Sequence, residues 1–243
     1  MEMQFIILLW GGKMQEFSLQ DVQVKVIPSN IARDYTLKHH YMKTFPNSIV
    51  CFGVFYKGKL SGAITFGYST ATDNKVKKIV PKIQKNEYLE MQRMNIMDNC
   101  GKNTESYVLG KIMGLLKSKG IRLVITHAGG CKNDCGIVYQ SSAWLYFGKE
   151  KCDDFYLTDN GEYKNIVAPI RFGRVPKEIV KKGAQAVGEY LFGKGNIVKS
   201  FRYTYIYPID KGIRHYLQKK ALPYPKDSAM FRKDGVWYKN EQS

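Results

Sequence analysis

The chain has 243 residues, enough for one substantial hydrophobic core with extensions rather than two equal domains. Its apolar fraction of 44% is ordinary, but Lys and Arg outnumber Asp and Glu by 38 to 21, and a net charge of +17 bears on partners rather than fold: nucleic acid first, an anionic membrane surface second. Five scattered cysteines, Cys51, Cys100, Cys131, Cys135 and Cys152, do not resemble a secreted disulfide framework and point to a reducing cytosol, so a cytoplasmic protein is expected.

FIILLW, residues 5 to 10, has no basic segment before it and is too short for a signal core or a membrane span; it reads as a buried strand or packed arm within an N-terminal arm over residues 1–20. VQVKVIP, residues 22 to 28, alternates and stops at Pro28, as a strand does, and Ser29 or Asn30 is placed to cap a helix running to His39 and His40. SIVCFGVFYK and LSGAITFGYS flank a turn at Gly58 and predict an antiparallel hairpin. Residues 73–86 are basic, broken by Pro81, and read as a surface excursion. YLEMQRMNIM, residues 88 to 97, is a further strand. The polar turn DNCGKNTES then leads into a helix from Thr104 to Lys119, with Val108, Ile112, Leu115 and Leu116 at helical spacing. IRLVITHA is apolar without alternation, as in a strand buried on both faces. GIVYQSSAWLYFGK, residues 136 to 149, follows as a helix and an aromatic strand, its Ser141, Ser142 and Ala143 small enough for a backbone or a flat ligand to come close.

These elements are expected to fill a core over residues 21–152, with residues 153–243 expected as a basic C-terminal extension packed on it and binding DNA. In that extension FYLTDNGEYKNIV carries an Asn-Gly turn and reads as a hairpin, residues 171–200 have glycines without a clear period, RYTYIYPI is an aromatic strand and KGIRHYLQKK a short basic helix. Residues 171–243 hold sixteen Lys or Arg against six acids, with Tyr203, Tyr205, Tyr207, Tyr216, Tyr224, Trp237 and Tyr238 interleaved. Basic residues attract phosphates and aromatics stack on unpaired bases, so Arg171, Arg174, Arg202, Arg214, Lys219 and Lys220 are candidate nucleic-acid contacts. A solvated lysine-rich surface over core tyrosines accounts for the tyrosines but not for the charge excess.

The chemistry-bearing residues sit between. A strand, a polar turn and a helix N-terminus make an anion site, with Gly101 permitting close approach, Lys102 adding charge, and Asn103, Thr104 and Ser106 at the helix start. Every capped helix has such an end, so the motif is weak alone. Glu90 and Arg93 share one strand, where their odd separation sends them to opposite faces unless a bulge intervenes. They either pair structurally or face a reacting amine and a phosphate or carbonyl. His39 and His40 end the first helix, an ordinary stabilising position for a cation. His127, Cys131, Asp134 and Cys135 invite a zinc reading, but the second ligand pair of a structural site is missing; they are read as free cysteines in a loop, and no metal is assigned.

From the strand before the anion turn to the aromatic strand at Tyr146 and Phe147, the order of elements resembles the acetyl-coenzyme A half of the GNAT acyltransferase fold. KHHYMK, CFGVFYKGKLSGAITFG, LEMQRMNI, KNTESYVLGKIM, GIVYQSSAWLYFGK and RYTYIYPIDKG…ALPYPK, taken in that order across residues 25–226, resemble the Mom family of phage proteins. The resemblance implies an α/β, GNAT-like fold: a mixed, mostly antiparallel sheet flanked by helices. It implies an enzyme that converts adenine N6 in DNA to a carbamoylmethyl or related form from acetyl-coenzyme A or a related acyl donor, protecting DNA from restriction. It also implies site roles for His40 as base or metal ligand, for Glu90 and Arg93, and for Tyr139 as the group that protonates the departing thiolate. Where relatives carry an aspartate after the buried strand and a histidine before the tyrosine helix, this chain has Gly129 and Asp134 near those places. Two other functions stay open: a GNAT acetyltransferase acting on a polyamine, protein or tRNA, and a non-catalytic DNA-binding protein on the same core.

Overall fold

The hairpin at Gly58 seeds the sheet. Ser48–Tyr56 (β2) and Lys59–Gly67 (β3) pair antiparallel across Lys57 and Gly58, both at positive φ (48° and 77°), the twist that two-residue hairpins favour. In this computed structural model, which describes residues 18–40, 44–130, 135–152, 155–225, 230–233 and 236–239, five more strands join that pair. Val22–Val26 (β1) lies outside β2; Tyr88–Ile96 (β4) lies beside β3; and Leu123–Gly130 (β5), Ser200–Pro208 (β10) and Leu145–Cys152 (β6) complete the order β1-β2-β3-β4-β5-β10-β6. All neighbours are antiparallel except β4 and β5, which are parallel. The expected mixed, mostly antiparallel, helix-flanked sheet is present. The FIILLW segment lies outside the described residues.

Helices cover both faces. Thr104–Ser118 (α3) buries Val108, Leu109, Ile112, Met113 and Leu116 against Val54, Ile64, Phe66, Leu89, Met91 and Val124, each such side chain contributing about 1.5–3 kcal/mol. Leu115, expected on that face, is instead 44% exposed. Ile137–Ser141 (α4) lies on the same side, with Tyr139 in the same cluster. On the opposite face Ser29–His39 (α1) packs over β2, β3 and β4, opening on Pro28 without the side-chain cap expected from Ser29 or Asn30. Residues 70–79, expected as surface excursion, form a helix, Thr70–Ile79 (α2): its lysines face solvent or ion pairs, while Val76, Val80 and Ile83 pack with Tyr88, Leu123, Ile125 and Ile206. Lys211–Gln218 (α8) adds Ile213 and Leu217 to that cluster.

The boundary expected at residue 152 cuts through the sheet, because β10 pairs with β5 on one side and β6 on the other. What lies between β6 and β10 is a separate layer. Phe155–Thr158 (β7), Tyr163–Asn165 (β8) and Gly195–Ile197 (β9) form a three-stranded sheet in the order β8-β7-β9, so the expected hairpin gains a third strand. Val167–Arg171 (α5), Lys177–Lys181 (α6) and Ala184–Phe192 (α7) pack on it through Tyr156, Ile166, Val175 and Val187. Two strands of the tail, Met230–Lys233 (β11) and Val236–Lys239 (β12), make a hairpin.

Candidate active site

The site begins where β4 and β5 part. Their parallel ladder ends at Met91↔Thr126, closed by the Thr126 hydroxyl donating to the Met91 carbonyl at 3.0 Å, although β4 continues to Ile96 and β5 to Gly130. Beyond that rung a cleft of about 1110 Å³ opens, lined by His40, Glu90, Arg93, Thr126, His127, Val138, Tyr139, Arg171 and Arg202 among others. All four residues expected to be catalytic, His40, Glu90, Arg93 and Tyr139, line this one space.

A bulge explains how Glu90 and Arg93 share it. Opposite β3, Arg93 pairs with Thr65 but Met91 pairs with Phe66, leaving Gln92 as an extra residue in β4. The insertion cancels the odd separation, so Glu90 and Arg93 leave the sheet on the same face. Gln92 turns toward β2, where the Ser48 hydroxyl donates to its Oε1 at 3.2 Å. Gly67 is required beside it, since a Cβ there would stand 2.8 Å from Gln92 Oε1 and 2.7 Å from the Asn47 carbonyl.

Arg93 is held by its surroundings: Nη2 donates to the Thr44 hydroxyl at 2.9 Å, Nε to the Thr44 carbonyl at 3.3 Å and Nη1 to the Gln92 carbonyl at 2.6 Å. His40 caps the C-terminus of α1, its N–H donating to the Thr36 carbonyl, and is buried. Asn95 Nδ2 donates to the His39 carbonyl at 3.3 Å and ties that helix end to β4. Glu90 is different. Its Oε2 is buried without a hydrogen-bond partner among the described residues, a cost of about 1–3 kcal/mol that a donor brought by a ligand would offset.

His127, which the sequence suggested only as a metal ligand, lies two residues beyond Ile125, the partner of Glu90, and so projects from the same face. Its Nδ1 lies 3.3 Å from the Thr204 hydroxyl, which accepts from Lys75 Nζ at 3.1 Å; Lys75 also pairs with Glu150 at 2.7 Å. Burial, then the charges of Lys75 and Arg202, push the His127 pKa from its ordinary 6.5 to about 3, and Glu150 offsets only part of that. An ammonium only donates, so the Thr204 oxygen accepts from Lys75, and in one ring tautomer of His127 its own proton serves Nδ1. The hydrogen of the neutral ring then sits on Nε2. Nothing local in HAGG signals this burial. Among the described residues no three His, Cys, Asp or Glu side chains are grouped to hold a metal; Cys131 and Asp134 lie outside them.

Tyr139 enters the cleft from the other face, on α4, packed between Trp144 and Tyr205 at 5.3 and 5.4 Å. The small residues after it do not line the cleft: the Ser142 hydroxyl meets Ser106 at 3.2 Å, and Ala143 takes positive φ (57°) in the turn to β6. They bring α4 against the start of α3. Gly129, in place of the aspartate implied by resemblance, has φ +105°, and a Cβ there would stand 2.0 Å from the Phe201 carbonyl oxygen. The backbone of this chain excludes any side chain at 129.

The expected anion turn follows β4 directly at the splayed end but does not line the cleft. Gly101 (φ 77°) and Asn103 (φ 64°) are both left-handed, Lys102 and Asn103 are exposed, and Asn103 makes no side-chain cap on α3. Thr104 turns inward, its hydroxyl donating to the Cys100 and Gly101 carbonyls, and Ser106 is engaged by Ser142.

Of the candidate nucleic-acid contacts, Arg171 and Arg202 line the cleft and Arg174 stacks over Phe172 at 5.6 Å. Arg214 instead stacks over Tyr207 at 5.0 Å and donates to the Pro208 carbonyl, at the end of β10 remote from Arg202. Lys219 and Lys220 are exposed outside the cleft. Tyr203 and Tyr205, offered as stacking surfaces, are buried in the core.

Residues 21–226 match the family model of the Mom protein family. The methylcarbamoylase mom of Escherichia phage Mu is 27% identical over 230 residues, 90% of either chain. Solved structures of similar shape include a polyamine N-acetyltransferase of Drosophila melanogaster that forms N-acetylagmatine (TM-score 0.45, 10% identity, 77% of this chain and 100% of that one). An IAA acetyltransferase from Bacillus cereus has TM-score 0.45 and 11% identity, covering 77% of this chain and 99% of that one. No helix among the described residues is long and apolar enough to cross a membrane.

Proposed function

The chain belongs to the Mom protein family, and on that premise we propose that it is a DNA-modifying transferase. Its acceptor is the exocyclic amine of adenine, its donor an acyl-coenzyme A, and its product a carbamoylmethyl or related adenine that shields DNA from restriction. The observation that carries this reading is the orphaned Glu90 oxygen in a cleft shared with His40, Arg93 and Tyr139. An adenine amine is conjugated with its ring and nucleophilic only as it loses a proton, so the site needs an acceptor for an N–H. Glu90 supplies one.

In this scheme the amine nitrogen bonds the acyl carbon, its proton passes to Glu90, and the carbon–sulfur bond breaks. Arg93, immobilised by Thr44 and Gln92, stands by the developing oxyanion with little to reorganise. Tyr139 gives its hydroxyl proton to the thiolate. His127 presents Nε2–H as a neutral donor suited to an aza nitrogen or carbonyl. His40 is the alternative base, buried where α1 ends. Acyl transfer puts a carbonyl carbon on N6, whereas a carbamoylmethyl group puts a methylene there and carries one more nitrogen. The step written here therefore gives the acyl-derived adenine of this reading; the carbamoylmethyl form needs N6 joined instead to the methyl carbon of the acyl group, a second nitrogen and a two-electron oxidant.

For the donor, the left-handed Gly101 and Asn103 and the uncapped first turn of α3 fit a diphosphate, with Lys102 beside it. When bound, the donor supplies an activated thioester. The turn sits at the splayed end of β4, and a cleft of about 1110 Å³ exceeds what one small ligand fills, leaving room for the thioester and a base together. The base must leave the duplex to enter.

Mass spectrometry of nucleosides from DNA of cells expressing the chain tests the proposal. A modified deoxyadenosine that disappears with Arg93→Ala, in a folded protein with unchanged DNA affinity, is the expected result. Unmodified DNA alongside acetylated polyamines or protein would move the acceptor to another class.

A further inference from the structure

The layer between β6 and β10 carries a feature that the transfer chemistry does not use. Phe172 follows α5 and is 73% exposed, the most exposed of the large apolar side chains described. Single exposed apolar residues are common, so exposure alone decides nothing. Three further observations do. Phe172 lies on the wall of the cleft, next to Arg171, and Arg171 and Arg202 line the same cleft. The Arg174 guanidinium stacks over the Phe172 ring at 5.6 Å, so the phenyl group sits among cations.

The third observation is rigidity. Asn165 Oδ1 accepts from the N–H groups of Val167 and Ala168 and starts α5. Gly173, at φ +65°, closes it with its N–H on the Ile170 carbonyl, and the Arg174 N–H returns to the Pro169 carbonyl. Ile166 and Val175 on either side are buried with Tyr156 and Val187 in the layer's own core. Phe172 is therefore presented on a pinned turn rather than a loose loop.

We propose that Phe172 is the wedge that holds the target base out of the duplex. As adenine swings into the cleft, the phenyl ring enters the vacated position in the base stack, while Arg171, Arg174 and Arg202 take the phosphates on either side. An apolar side chain stacked in a base step offsets the lost base stacking, and flanking arginines hold the opened backbone. The proposal rests on DNA adenine as acceptor and names the part that opens the helix.

The test uses a duplex with 2-aminopurine at the target position, whose fluorescence rises when it is unstacked, and needs no donor. The wild-type chain should raise that fluorescence at saturating protein. Phe172→Ala should lower the rise about tenfold while Phe172→Leu keeps most of it, since unstacking costs a few kcal/mol. In turnover, Phe172→Ala should lose modification of duplex DNA about tenfold but modify adenine in a single strand or opposite an abasic site at the wild-type rate. Equal behaviour of wild type and Phe172→Ala on duplex would overturn the wedge and leave the transfer reading standing. Equal loss on duplex and unpaired adenine would also overturn it, by showing a general defect. If wild type modifies no DNA of either kind, the transfer reading itself fails and takes the wedge with it.

Discussion

The floor of the cleft and the layer inserted between β6 and β10 treat polar groups in opposite ways. On the floor, Arg93 is fixed by hydrogen bonds to Thr44 and Gln92, His127 is half-buried and held neutral beside Thr204, and Glu90 keeps one oxygen out of water without a partner among the described residues. On the inserted layer, Arg171, Phe172 and Arg174 stand in solvent on a pinned turn. Desolvated, preorganised groups suit chemistry on a bound atom, whereas exposed cations suit capture of a long polyanion. The two regions should therefore fail differently when altered.

The largest effect is expected on the floor. Glu90→Gln keeps shape and removes the proton acceptor, so turnover should fall about 10²- to 10⁴-fold with DNA affinity and thermal stability near wild type. Retained turnover would shift the base to His40, which His40→Gln would then reveal.

Next come the cleft arginines, Arg171 on the inserted layer and Arg202 on β10. Arg171→Ala with Arg202→Ala should weaken DNA binding and lower the slope of log affinity against log salt by about one for every phosphate that is no longer neutralised. Lys219→Ala with Lys220→Ala, outside the cleft, should move affinity less and leave turnover at saturating DNA intact. Equal effects of the two double substitutions would erase the contrast between cleft arginines and surface lysines.

How far the sequence reveals this contrast depends on the kind of signal. The hairpin at Gly58, the helix on Val108 and Ile112 and the buried strand at Leu123 are legible because turn chemistry and apolar period are local. The α2 helix is not, because Val76 stands among lysines and its apolar face is visible only against Tyr88 and Ile125. Ser200–Pro208 is legible as a strand but not as a strand inserted between β5 and β6, since pairing partners 48 or more residues away leave no local mark. At the site, resemblance points to Glu90, Arg93 and Tyr139, while the bulge at Gln92 that puts the first two on one face is a property of register. The place of His127 on the floor is illegible in the sequence because its burial comes from α2 and β10.

A smaller effect should follow at the donor turn. Asn103→Asp keeps a residue tolerant of left-handed backbone and adds a carboxylate where a diphosphate would lie. The donor's dissociation constant should rise about two- to fivefold, read as a smaller thermal shift with acetyl-coenzyme A. Identical shifts would remove the diphosphate from this turn and leave the floor chemistry untouched.

The smallest effect near neutral pH concerns His127, and it separates floor from layer by pH alone. Its folded-state pKa is depressed to about 3 by burial and by Lys75 and Arg202, against 6.5 when exposed. As pH falls below 6.5 the unfolded chain takes up the proton first, so the stability associated with a neutral His127 is complete above 6.5 and is lost as pH falls toward 3. Each pH unit in that window removes up to about 1.4 kcal/mol. The arginines of the inserted layer do not titrate there, so none of this loss comes from them. His127→Gln should match wild type in denaturation midpoint at pH 8 and hold its midpoint better than wild type as pH is lowered from 6.5, where carboxylates still allow a folded protein. Parallel curves for the two proteins across that window would mean that His127 charges freely in the folded state. It would then meet a bound base as an imidazolium rather than as the neutral Nε2–H donor assigned to it.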